Sequence, residues 1–105
     1  MQEKLSRMLA NCEFMLSFII DATLRLQEGK LTGGQCARAK AHCSKMARET
    51  VALARECLGG NGILSENRVI RHFMDLEALY TYEGTYEINS LVSGRELTGG
   101  LAAFR

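Results

Sequence analysis

Leu79-Tyr80-Thr81-Tyr82-Glu83-Gly84-Thr85-Tyr86-Glu87-Ile88 breaks an otherwise helical pattern, and its reading sets where the chain turns. Apolar residues at helical spacing lie on both sides: Val69, Ile70, Phe73, Leu76 and Leu79 before it, Ile88, Leu91 and Val92 after it. The stretch itself is too polar and too glycine-marked to be one more helical turn. Gly84 removes a side chain where something can approach the backbone closely. Thr85 stands where a helix N-cap belongs. Glu83 therefore lies at a break between two helices, held by both and covered by neither. Read alone, it is an acid favoured by the dipole of the following helix. It is also well placed for a general base.

Upstream, Leu58-Gly59-Gly60-Asn61-Gly62 stops a helix. One glycine suffices for a C-cap, and three in four residues is more than a stop requires. So bare a backbone suits close contact with a flat or phosphorylated ligand. Ser65 is expected to cap the third helix, which frays near Ala78, with Arg71 and Asp75 paired on its outer face. The fourth helix is expected from about Thr85 to Leu97 and buries Ile88, Leu91 and Val92. Thr98-Gly99-Gly100 ends it, and Leu101 to Arg105 form a short tail docked through Phe104.

The first helix is expected from about Gln2 to Glu28, at roughly 1.5 Å per residue. Leu5, Met8, Leu9, Cys12, Leu16, Ile19, Ile20 and Thr23 recur at helical spacing, and Phe14, Met15 and Phe18 widen the apolar surface. A helix so wide is covered on more than one side, by bundle neighbours or by another chain. Gly29 fits the C′ position after it. Thr32 and Gln35 have capping-box spacing for a second helix from Gly33 to Leu58. Its expected buried face is Cys36, Ala39, Cys43, Met46, Ala47, Thr50, Val51, Ala54, Cys57 and Leu58. The short loop makes the two helices antiparallel neighbours. Arg38, Lys45, Arg48 and Arg55 form a charged stripe, read as a solvated face interleaved with Glu49 and Glu56; the other reading is a contact with phosphates or an acidic partner. Arg95 is expected to pair internally with Asp75, Glu77 or Glu87.

These 105 residues hold no proline and no tryptophan, which with abundant Ala, Leu, Met, Glu, Arg and Lys gives an all-α fold class: an antiparallel, up-and-down bundle of about four helices in a single domain. A formal charge of +1 gives no pointer to nucleic acid. No apolar run reaches the roughly 18 residues of a membrane span. Met1 opens directly into an amphipathic pattern, so no signal peptide is expected. Cys12, Cys36, Cys43 and Cys57 lack C-x-x-C spacing and read as buried free thiols in a reducing compartment, and no metal site is expected.

The sequence resembles the flavin-dependent acyl-CoA dehydrogenases. Tyr82-Glu83-Gly84-Thr85 is similar to their catalytic-base motif, with Gly59-Gly60-Asn61-Gly62-Ile63 before it and Ser93-Gly94-Arg95 after it in matching order and spacing. Val69-Ile70-Arg71-His72 and Leu76-Glu77-Ala78 are most similar to the glutaryl-CoA dehydrogenase branch. The likeness is specific from about Cys57 to Thr98. It implies that residues 1–105 correspond to the family's C-terminal helical domain, without the N-terminal helical and middle β-domains.

By that resemblance Glu83 is the base that takes the α-proton of an acyl-CoA thioester while the β-hydrogen leaves as hydride to FAD. Gly84 is a substrate contact. Glu56, Cys57, Leu58, Gly59 and Gly60 meet the flavin of a neighbouring subunit, and Thr85, Tyr86 and Glu87 contact flavin through the helix N-terminus. Many members carry Gln where this chain has Glu56. A carboxylate beside tyrosines in a closed pocket is desolvated, which favours its protonated form, and Glu87 nearby is expected to add to that if it shares the space. The resemblance further implies a homo-oligomer, dimer or tetramer, an electron-transfer partner, and a bacterial cytoplasmic or mitochondrial matrix setting. The chain alone is expected to be an incomplete, inactive enzyme. The alternative is a non-catalytic helical oligomerisation module built on the same fold.

Overall fold

A computed structural model of the chain describes residues 1–99. Four helices are present: α1 (Gln2–Gln27), α2 (Gly33–Cys57), α3 (Val69–Thr81) and α4 (Tyr86–Leu97). Among the described residues there is no strand. The all-α, up-and-down bundle read from the sequence is the observed fold. The tail from Leu101 to Phe104 lies outside the described residues.

Each of three ends is set by chemistry within a few residues. Gly29 at φ +72° ends α1 in a Schellman motif, in which Lys30 N–H donates to Arg25 O at 2.8 Å and Gly29 N–H to Leu26 O at 3.1 Å. Thr32 and Gln35 form the expected capping box: Gln35 N–H donates to Thr32 Oγ1 at 3.1 Å and Thr32 N–H to Gln35 Oε1 at 2.9 Å. Thr85 caps α4 by accepting from Ile88 N–H at 3.2 Å.

The start of α3 differs from the expectation. Ser65 does not cap it. Ser65–Asn67 form a separate 3-10 turn, and Arg68, at φ +66°, precedes the first helical residue. Asn67 Nδ2 donates to Asn61 O at 2.9 Å and ties that turn back to the glycine segment. Its far end also differs: α3 runs on to Thr81 instead of fraying near Ala78, with Thr81 Oγ1 donating to Glu77 O at 2.7 Å.

The central element is α2. Along one side it carries α1, antiparallel, and along the other α3 and α4. The α1 seam is polar: Lys4–Glu56 at 3.1 Å, Arg7–Glu49 at 3.6 Å, and Asn11 Nδ2 donating to Thr50 Oγ1 at 3.2 Å. Asn11 is the one buried residue of α1. Of its expected inner face, Leu5, Leu9, Cys12, Leu16, Ile19 and Ile20 are exposed, because α2 covers only the stripe through Met8, Asn11 and Met15.

The buried face of α2 is also smaller than expected. It consists of Gly34, Ala37, Ala39, Ala41 and Leu53, while Cys36 and Leu58 are exposed. Of the four thiols only Cys43 and Cys57 are half-buried, so the expectation that all four are buried does not hold. On α4, Ser93 is the buried residue, and Ile88, Leu91 and Val92 remain exposed. Small residues win these positions because they let two backbones approach closely. Among the described residues no large side chain is fully buried. A radius of gyration of 16.0 Å, against about 13 Å for a compact chain of this length, reflects the same thin core.

Candidate active site

Tyr82 ends α3 with extended backbone, and Glu83 follows at φ +55° and Gly84 at φ +90°. Two consecutive left-handed residues turn the chain sharply before Thr85 starts α4. For a residue with a Cβ this conformation costs about 1–2 kcal/mol. It is held by side chains from two helices. Lys40 Nζ, on α2, donates to Gly84 O at 2.7 Å and to Tyr80 O at 3.2 Å. Asn89 Nδ2, on α4, donates to the same Gly84 oxygen at 2.9 Å. A bond from an ammonium is worth about 1.5–3 kcal/mol, enough to offset the left-handed turn. Lys40 also places positive charge at the C-terminal end of α3, where the helix dipole favours it.

Glu83 stands at the mouth of an open groove of about 800 Å³. Cys12, Met15, Leu16 and Ile19 of α1 form one wall, Leu76 and Leu79 of α3 the other, and Ala39, Cys43 and Ala47 of α2 the floor. Lys40, Ser44, Tyr82 and Glu83 also line it, but its surface is almost wholly apolar. The groove exists because α1 and α3 flank α2 without closing on each other. Glu83 and Glu87 are both exposed, so the closed, desolvated pocket expected around the carboxylate is not formed by the described residues.

The other two tyrosines of the stretch face the opposite side of α2. Tyr80 and Tyr86 stack with ring centres 6.2 Å apart, and His42 meets Tyr86 edge-on at 5.5 Å. Arg48 lies 4.5 Å over the Tyr80 ring and pairs with Glu77 at 2.6 Å, while Lys45 Nζ lies 5.0 Å from the Tyr86 ring centre. Arg38 Nη1 donates to Ser93 Oγ at 2.7 Å. The charged stripe of α2 is thus only partly a solvated face: Lys45 and Arg48 remain exposed, but they and Arg38 also have partners on α3 and α4. Its Arg38, Lys45 and Arg48 edge the seam against α3 and α4, where the cations of Lys45 and Arg48 lie over aromatic rings. Glu77 is taken by Arg48. Among the described residues neither Arg95 with Asp75, Glu77 or Glu87, nor Arg71 with Asp75, forms the expected ion pair.

A family model for the acyl-CoA dehydrogenase C-terminal domain matches residues 1–98. The chain belongs to the acyl-CoA dehydrogenase family. That match spans every helix described above and the whole Glu83 turn.

In this acyl-CoA dehydrogenase domain the two segments expected to meet flavin lie far apart. Tyr86 sits against His42 and Lys45, in the middle of α2, whereas Glu56–Gly60 lies at its C-terminal end. The separation is about 18 Å along the helix. Glu56 is engaged by Lys4, Cys57 is half-buried, and Leu58, Gly59 and Gly60 are exposed. A Cβ at Gly60 would meet nothing within 4 Å, so its bareness serves no contact among the described residues. Gly62 is different: a Cβ there would collide with the carbonyl of Arg55. At the start of α4, Ile88 and Asn89 amides are bonded to Thr85, and those of Tyr86 and Glu87 are not used among the described hydrogen bonds.

Sequence reasoning missed Lys40, Asn89 and Glu96, and gave Ser93 no partner. Lys40 and Asn89 act on the backbone of a turn that is distant in sequence or reached by a side chain, and neither matches a local motif.

Proposed function

We propose that this domain supplies the proton-abstracting base of a glutaryl-CoA-like acyl-CoA dehydrogenase, and that Glu83 is that base. The observation that carries the reading is the Glu83–Gly84 turn: a carboxylate in a left-handed conformation, presented at an apolar groove, with the adjoining Gly84 carbonyl held from α2 and α4. A strained residue whose turn is braced in this way fits a functional position. The family match and the Tyr82-Glu83-Gly84-Thr85 motif support this chemistry.

Glu83 would take the α-proton of the thioester onto a carboxylate oxygen. FAD, when bound, accepts the β-hydrogen as hydride. Gly84 lies beside the base, and its N–H, unused among the described hydrogen bonds, is available to substrate while its carbonyl is held by Lys40 and Asn89. The free amides of Tyr86 and Glu87 after Thr85 suit an electron-rich flavin atom. Open Gly59 and Gly60, with Glu56, Cys57 and Leu58, suit a second flavin held by a neighbouring subunit, since the distance along α2 keeps them from the first. These features fit FAD as a group shared between this domain, other domains and a partner copy.

The exposed carboxylate is consistent with a domain that works only when covered. Desolvation of Glu83 would come from substrate and from the segments that close the groove. The exposed apolar side chains of α1, among them Leu5, Leu9, Phe14, Leu24 and Leu26, support self-association into a dimer or tetramer. The same exposed face favours the second reading, a helical assembly module without catalysis. A reducing compartment, bacterial cytoplasm or mitochondrial matrix, and an electron-transfer partner follow from the family reading.

The deciding experiment is Glu83→Gln in the assembled, FAD-loaded enzyme. Loss of flavin reduction by acyl-CoA with flavin binding intact supports the base. Normal turnover rejects it and leaves the assembly reading.

A further inference from the structure

We infer that Lys40 is the positioning residue of the base: its ammonium closes the neck of the turn that carries Glu83. This rests on the reading of Glu83 given above. Lys40 Nζ reaches Tyr80 O on one side of the base at 3.2 Å and Gly84 O on the other at 2.7 Å. One cation therefore ties together the backbone on both sides of Tyr82 and Glu83. The Tyr80 carbonyl belongs to the last turn of α3, whose acceptors have no partner within the helix. The Gly84 carbonyl closes a turn of two left-handed residues, and Lys40 is its donor from α2, distant in sequence.

Asn89 completes the arrangement from α4 with its bond to the same Gly84 oxygen. Its side-chain nitrogen comes so near that a Cβ at Gly84 would lie 2.8 Å from it. Glycine at 84 thus admits both the turn and its second donor. Lys40 also lines the groove alongside Glu83. The stem crosses the groove floor and the ammonium binds main chain, so Lys40 sets where the carboxylate is aimed without itself taking a proton from substrate. A side chain of this reach on a long, packed helix gives the turn a rigid reference that a loop alone lacks.

The test is Lys40→Met, which keeps the stem and removes the donors, in the FAD-loaded holoenzyme with a saturating acyl-CoA substrate. The expected result is a fall in kcat on the order of tenfold to a hundredfold, since small misplacement of a reacting group costs that much. KM changes little, and the kinetic isotope effect from an α-deuterated substrate rises because proton removal becomes slower. Hydrogen exchange of the peptide covering residues 80–88 rises with it. Lys40→Arg, which retains a cationic donor, recovers most of the rate. A purely structural role for Lys40 would lower yield and melting temperature while kcat per bound flavin and the isotope effect stay at wild-type values, and that result overturns the assignment. Should Lys40→Met fail to fold, Asn89→Ala decides: a several-fold loss of kcat with a raised isotope effect supports bracing of the turn, and wild-type values overturn it. Glu83→Gln run in parallel separates the two failures. If it turns over normally, the base reading fails and the Lys40 inference with it. If it is dead while Lys40→Met is normal, only the Lys40 inference fails.

Discussion

Glu96, near the end of α4, accepts the amide of Gly34, at the start of α2, at 2.6 Å through Oε2, and the hydroxyl of Thr32 at 2.7 Å through Oε1. A carboxylate from one helix thus completes the N-terminal cap of another, where free amides and the dipole favour negative charge. It also sits where a Cβ on Gly34 would lie 2.5 Å from its oxygen, so residue 34 is small for this contact.

The first prediction concerns pH. The hydroxyl of Thr32, then the Gly34 amide, then the charge of Arg38 hold the Glu96 carboxyl below its ordinary value of 4.5. A depressed folded-state value means that the unfolded chain binds the proton more readily, so stability rises with pH across that range. The contribution is complete above about pH 4.5 and is lost as the pH falls through the lower folded-state value. Glu96→Gln therefore melts below wild type near neutral pH, and the gap closes in acid. Thermal unfolding at several pH values checks both halves.

Thr32→Ala removes a capping-box oxygen and is expected to destabilise the domain by about 1 kcal/mol in urea unfolding. Combined with Glu96→Gln it costs less than the sum of the two, because Glu96→Gln weakens, and Thr32→Ala removes, the same Thr32–Glu96 bond.

The glycines separate into two kinds. Gly62→Ala forces a Cβ into the Arg55 carbonyl and is expected to cost about 1–3 kcal/mol of stability. Gly60→Ala meets nothing within 4 Å and leaves the melting temperature unchanged. If Gly60 lies against flavin, the same change weakens FAD binding by the assembled enzyme, read by fluorescence titration against the unchanged melt. Unaltered FAD affinity removes Gly60 from the site.

Thiol chemistry reports on the groove. Cys12 and Cys36 are exposed on its lining, whereas burial pushes the Cys43 thiol up and reduces its thiolate fraction. A mild alkylating reagent at neutral pH is expected to label Cys12 and Cys36 before Cys43, followed by mass spectrometry. In the assembled enzyme, protection of Cys12 and Cys36 would show that the groove is covered there.

Much of this domain was legible because the deciding interactions close within a few residues. Gly29 ends α1, the Thr32–Gln35 box starts α2, and Thr85 starts α4, each by bonds spanning five residues or fewer. The family motif around Glu83 was legible for the same reason, being one contiguous run. Ser65 misled because the best local cap lost to a turn that Asn67 ties back to Asn61. The charged stripe was only half legible: Lys45 and Arg48 stay exposed, yet they and Arg38 find aromatic and polar partners on α3 and α4 that no periodicity reveals.

By itself, then, the sequence determined the helix count, the antiparallel order and the residue placed at the break between α3 and α4, since capping, breaking and helical periodicity are local properties of the chain. Only the tertiary structure decided which faces are buried and how Glu83 is held. Small side chains on α2 win the close contacts, so the large apolar residues of α1 are left exposed. Lys40 reaches Gly84 across 44 positions of sequence, a relation that exists only once α2 and the turn lie side by side.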